Sequence, residues 1–230
     1  RGEVLGDPKD PAVRKLQRER EEAQAKVPNC YKIRESLLWK DYPVPEHVTD
    51  RNITIGIPRV LSFWETMPFW STFFRSLGFT VRVSAPSSHK LYEEGLYAVA
   101  SDTVCFPAKL VHGHIRSLAK MHVDRIFMPS ITSVQSENKE KTSEWMCAIV
   151  KGYPLVIKNS DNPEHVFGIP FDDPLFHWYT NKDRDEQLTK YIKDTYNIPD
   201  EEIRNAIRFA DMAENSFHQE LSAVGKAILD

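Results

Sequence analysis

A strand–helix–strand succession near the start of the ordered-looking part of the chain limits its fold most. Ile53-Thr-Ile-Gly-Ile-Pro58 is an apolar-rich run between a charged stretch and a proline, the pattern of a buried strand. Phe63 to Leu77 then carries a dense aromatic face and stops at Gly78, a helix terminator, and Phe79-Thr-Val-Arg-Val83 alternates as a second strand. A helix of that length between two strands forms a crossover connection, which joins parallel neighbours with a right-handed sense. The cycle repeats with a short helix over Leu91 to Gly95, a longer helix after Cys105, and Asp124-Arg-Ile-Phe-Met-Pro129 as a third strand. The alternation predicts an α/β fold: a doubly wound, Rossmann-like parallel sheet with a helical C-terminal part. In such sheets ligands gather at the carboxyl ends of the strands, here the turns after Pro58, Val83 and Pro129.

Around that centre the chain of 230 residues divides into three. Residues 1–50 are rich in charge and proline and poor in large apolar side chains, which reads as a charged helical linker or N-terminal arm. Residues 51–180 hold the α/β domain, in which the polar run from Ser133 to Ser143 reads as a long loop. Trp145-Met-Cys-Ala-Ile-Val150 is expected to bring the chain back to the core. Residues 181–230 are helical: one helix from Asp183 to Tyr196, then a second opened by Pro199-Asp-Glu-Glu202. Along the second, Ile203, Ile207, Ala210, Phe217, Leu221, Val224 and Ile228 follow three-four spacing, which suits packing on the domain or a homodimer interface. The sequence begins Arg-Gly and ends inside a helical pattern, so it is expected to be a piece of a larger protein.

Composition removes several function classes. A net charge of −3 gives no basic footprint for nucleic acid. No apolar run approaches the roughly 20 residues of a membrane span, and no leader pattern is present. Cys30, Cys105 and Cys147 are odd in number and far apart, which suits reduced thiols or metal ligands in a cytoplasmic setting better than a disulfide framework. There is no glycine-rich phosphate loop, so no ATP site of that kind is expected in this chain. Neither a Gly-x-Ser-x-Gly elbow nor a His-Glu-x-x-His helix appears.

The segment with the strongest chemical content is Ser101-Asp-Thr-Val-Cys-Phe-Pro-Ala-Lys-Leu-Val-His-Gly-His-Ile115. Pro107 can open a helix, which places Cys105 at its N-terminus. There, unpaired amide N–H groups and the positive end of the helix dipole favour a thiolate or an anionic group bound through one. Within the helix Leu110, Val111, Ile115, Leu118 and Ala119 can face a core, with Lys109, His112, Arg116 and Lys120 on the other side. Gly113, unfavourable inside a helix, points to close approach by another backbone or a ligand. His112 and His114 are two apart and do not share a helix face, so they are not read as a zinc pair. Cys105, Ser130 and Cys147 all fall next to strand ends or loop–helix junctions that this fold can bring together. Two thiolates with a serine oxygen suit an iron–sulfur group; the plain alternative for each cysteine is a free thiol.

Ile55-Gly-Ile-Pro-Arg-Val-Leu, Phe69-Trp-Ser-Thr-Phe-Phe, Leu77-Gly-Phe, the Cys105 segment and Lys151-Gly-Tyr-Pro together resemble one family. It is the dehydratase-like domain of acyl-CoA dehydratase activase-related proteins, often labelled activators of (R)-2-hydroxyglutaryl-CoA dehydratase. The resemblance covers about residues 51–229. It implies a 2-hydroxyacyl-CoA dehydratase-subunit-like fold and partnership with actin-like ATPase domains of the parent protein, absent from this chain. It also implies an ATP-driven one-electron system acting on an acyl-CoA thioester. By the same resemblance Cys105 and Cys147 correspond to ligands of a 4Fe-4S cluster, and Ser130 stands where many relatives have a third cysteine. Lys109, His112, Pro107 and Thr103 are the residues expected to support such a cluster. The alternative is a cofactor-free module that binds an acyl-CoA or a partner subunit, or a structural dimerisation unit.

Overall fold

The computed structural model describes residues 9–25, 27–134 and 144–229. Two helices, α1 (Pro11–Ala25) and α2 (Cys30–Leu38), precede strand β1 (Thr54–Ile57), helix α3 (Phe63–Ser76) and strand β2 (Thr80–Val83). Helices α4 (His89–Leu96) and α5 (Phe106–Lys120) lead to strands β3 (Arg125–Phe127) and β4 (Ser130–Ile131). Helices α6 (Ala148–Ser160) and α7 (Pro163–Phe167) are followed by β5 (Phe171–Asp172) and β6 (Leu175–Phe176), then by helices α8 (Asn181–Tyr196) and α9 (Asp200–Leu229).

The main sheet has the order β2-β1-β3-β5, and its neighbours are all parallel. Thr54 pairs with Thr80 on one side of β1, and Ile55 with Arg125 on the other. The chain therefore steps to one side after β1 and to the opposite side after β3. A second, two-stranded parallel sheet joins β4 to β6. Its strands, like β5, are two residues each, too short to leave an alternating pattern in sequence.

The aromatic face expected of α3 makes the core. Trp70 is fully buried, with ring centroids 4.7 Å from Phe127, 5.5 Å from Trp178 and 6.2 Å from Phe74. Helix α9 packs along α3 through Ile203, Ala206, Ala210 and Phe217, all buried; beyond Leu221 its residues are mostly exposed. Helix α1 is largely exposed, but Leu38 and Tyr42, also inside the segment read as a charged arm, are core members. Gly78 fastens this segment to the sheet. Its φ of +87° suits glycine, and a Cβ there would lie 1.8 Å from the Thr49 carbonyl oxygen.

The run from Trp145 to Val150 returns the chain to the core only in part: Trp145 and Cys147 are exposed, Ile149 packs half-buried against the core, and the buried residues of α6 are Tyr153, Pro154 and Ile157. Among the described residues no helix is long and apolar enough to cross a membrane.

Candidate functional site

Helices α5 and α6 both lie in connections between parallel strands, so both run back against the strand direction and start at the sheet's carboxyl edge. A cysteine caps each start. Cys105 is the N-cap of α5 in extended conformation, with Pro107 in the first turn supplying a preset φ and no competing N–H. Cys147 is the N-cap of α6. Both thiols are exposed. The amide N–H groups of Val150 and Ile149 hold the Cys147 thiol below its ordinary pKa, with a smaller contribution from the Lys151 ammonium.

Ser130 follows β3 and, unlike the two cysteines, is buried. It heads β4, is 8% exposed, and its N–H donates to the Pro174 carbonyl at 2.9 Å. Thr103 is exposed and bonds the Ser101 hydroxyl at 2.9 Å. The Lys109 ammonium donates to the Asp102 carbonyl at 2.8 Å.

Below the two cysteines, α5 and α6 are joined by a buried polar chain. His112 and Tyr153 are 0% and 3% exposed, and the imidazole Nε2 pairs with the Tyr153 hydroxyl at 3.1 Å. The His112 Nδ1–H donates to Asp161 at 2.7 Å, and Arg116 grips the same carboxylate with two N–H groups at 2.7 and 2.9 Å. Arg116 also donates to the Tyr97 hydroxyl at 2.9 Å and lies over that ring. Burial opposes the charge on Asp161, but the hydrogen bonds and charges of His112 and Arg116 outweigh it and hold the carboxyl below its usual range. Burial, then the nearby Cys105 and Asp161, push the Tyr153 hydroxyl up to about 12. Tyr153 thus lies within electrostatic reach of Cys105. His112, with both ring nitrogens engaged, and Lys109 are both committed to protein partners.

The close approach expected at Gly113 is made by helix α4. A Cβ on Gly113 would sit 2.1 Å from the Leu91 carbonyl oxygen, and one on Gly95 would sit 2.3 Å from the Gly113 nitrogen. This crossing fixes α5, and with it Cys105, against the domain.

Sequence reasoning did not find Asp161. In Asn159-Ser-Asp-Asn162 it reads as a turn residue, and only the fold brings it to α5. The signal available was the His112–Arg116 spacing: two basic side chains four apart on a helix otherwise built for burial call for an acidic partner.

Among the described residues no group of three or more His, Cys, Asp or Glu side chains is placed to hold a metal ion. The donor chemistry nevertheless suits an anionic iron–sulfur group through two thiolates: both sulfurs sit where a helix presents its positive end, and the thiol of Cys147 is held below its ordinary pKa.

These features define an α/β protein with a parallel sheet and an exposed cysteine at each of two helix N-termini. Residues 54–230 match the family model described as CoA enzyme activase uncharacterised domain, and the chain belongs to that family. No curated protein and no solved structure matches it.

Proposed function

We propose that this chain is the dehydratase-like part of an ATP-dependent activator of 2-hydroxyacyl-CoA dehydratases, with a doubly wound fold. Its working site is the mouth between the N-termini of α5 and α6. Cys105 and Cys147 would hold a 4Fe-4S cluster there as thiolates, with the Ser130 oxygen at the third position. When bound, the cluster would supply one-electron transfer. Actin-like ATPase domains of the parent protein would be the partner that couples ATP to the transfer. The observation that carries this reading is the pair of cysteines capping two helices at one sheet edge.

The chain's own residues have definable tasks in that site. The two helix N-termini favour negative charge at the sulfurs. Tyr153, protonated at neutral pH, keeps an O–H group and no charge beside Cys105. Asp161 and Arg116 fix the His112 ring, which in turn fixes Tyr153 and ties α6 to α5. Pro107 and the Gly95–Gly113 crossing hold Cys105 in register with that assembly.

Reconstitution with iron and sulfide under nitrogen tests the proposal. Iron should bind wild type and Cys30→Ala alike and be lost from Cys105→Ala and Cys147→Ala. No uptake by wild type, or equal uptake by Cys105→Ala, refutes it. The absence of a three-residue metal group among the described residues favours a second reading, a cofactor-free module for an acyl-CoA or a partner subunit. Calorimetry with CoA thioesters tests that reading, and an absence of heat with all of them removes it.

A further inference from the structure

The two helices that carry the cysteines lie side by side for a topological reason. The connection from β1 to β2 steps one way along the sheet, whereas those from β2 to β3 and from β3 to β5 step the other way. Right-handed crossovers then put α5 and α6 on one face of the sheet, opposite α3, and both run against the strands and so parallel to each other. Neighbouring helices pack with axes about 8–10 Å apart. Such packing leaves register open: how far one helix slides or turns against the other decides whether Cys105 meets Cys147.

The buried polar chain removes both freedoms. His112 and Arg116 lie seven and eleven residues after Cys105, which puts all three on one stripe of α5. That stripe faces α6, because His112 meets Tyr153 at 3.1 Å, and His112 and Arg116 each meet Asp161 at 2.7 Å. Asp161 lies fourteen residues after Cys147, two heptads along, and shares a side of α6 with it. The heights agree as well. The α5 partners lie on average nine residues below Cys105, and the α6 partners, Tyr153 and Asp161, ten below Cys147. At about 1.5 Å per residue the two helix starts stand level to within about 2 Å. His112, Tyr153 and Asp161 are each at most 3% exposed, so sliding by one turn would leave buried polar groups without partners.

We propose that this polar contact is a register device that holds Cys105 and Cys147 level and facing each other, with His112 as the positioning residue that joins Tyr153 to Asp161. The inference rests on the two-cysteine site proposed above and adds what sets its spacing.

Dibromobimane, which fluoresces strongly once both its arms have alkylated thiols, measures that spacing in the full chain without any metal. In the Cys30→Ala protein it should bridge Cys105 and Cys147 within one chain. His112→Leu in that background should cut the bridging rate at least about tenfold, because a two-point reaction is that sensitive to a misplacement of about 1 Å. Alkylation of single thiols by iodoacetamide should be unchanged, which separates lost spacing from lost reactivity, and circular dichroism reports the fold. Tyr153→Phe keeps the buried ring and removes one hydrogen bond; it should lower bridging in the same direction, and it decides the matter if His112→Leu does not fold. No bridging in the Cys30→Ala protein, or bridging as fast in the folded variants, overturns the register device. Bridging that follows these expectations in a chain that takes up no iron removes the cluster reading and leaves the register device standing. Iron uptake with bridging indifferent to the variants does the reverse.

Discussion

Replacing Asp161 by alanine should be one of the most damaging single changes available in this protein. The side chain accepts three hydrogen bonds, one from His112 and two from Arg116. Those donors are sealed in: the Arg116 and His112 side chains are 7% and 0% exposed. Without the carboxylate a guanidinium is left buried and unneutralised, a loss of about 3–5 kcal/mol. For a chain of this length that corresponds to a fall in Tm of about 10 °C. Thermal unfolding by circular dichroism and urea titration at constant m-value read the change. The double variant Asp161→Leu with Arg116→Met removes both charges and should recover much of the loss. The sign with pH follows from the lowered carboxyl pKa. The contribution is complete above the unfolded carboxylate value of about 4 and disappears as pH falls through the folded value. The gap between wild type and Asp161→Ala should therefore close in acid. A single-variant loss under about 1 kcal/mol, or a double variant as unstable as the sum of the singles, refutes the reasoning.

Two other outcomes are expected. His114 is buried between the Ser84 and Ser87 hydroxyls at 2.8 and 3.0 Å; burial, aided by the Arg59 charge, lowers its pKa to about 4. Its folded value lies below the unfolded 6.5, so stability is full above that pH and erodes as pH falls toward 4, by about 3 kcal/mol. His114→Gln should flatten this part of the acid limb in urea titrations across pH 4–7, and an unchanged limb contradicts it. Gly113→Ala should cost about 1–3 kcal/mol by forcing α4 from α5, since the new Cβ meets the Leu91 carbonyl; unchanged thermal stability would show that the helices separate freely.

The elements legible in sequence are those with enough residues to show a period or a punctuation mark. β1, α3 and β2 announce themselves through an apolar run, an aromatic stripe and Gly78, and Cys105 announces its capping position through Pro107. β5 has only Phe171 and Asp172, and its pairing with β3 is set by the crossover that precedes it. Leu38 and Tyr42 belong to a short apolar cluster with Ile33, Leu37 and Trp39 that the surrounding charge and proline mask, yet both are core members. The polar side of α5 was read correctly as polar, but its burial was not foreseen. α6 and α7 cover it, and the cost of burying His112 and Arg116 is met by Asp161, 45 positions beyond Arg116. The Cys147 cap was obscured by the apolar residues that follow it, which suggested a return to the core where the chain makes an exposed helix start.

Whether Cys105 and Cys147 form a single site is best settled by titrating the reduced protein with Cd²⁺ under nitrogen and recording the ultraviolet thiolate-to-cadmium absorption. The account predicts one ion per chain with the intensity of two sulfur ligands, unaffected by Cys30→Ala and abolished by Cys105→Ala or Cys147→Ala. Saturation that persists undiminished in either of those variants, or intensity of one sulfur per ion, would contradict it.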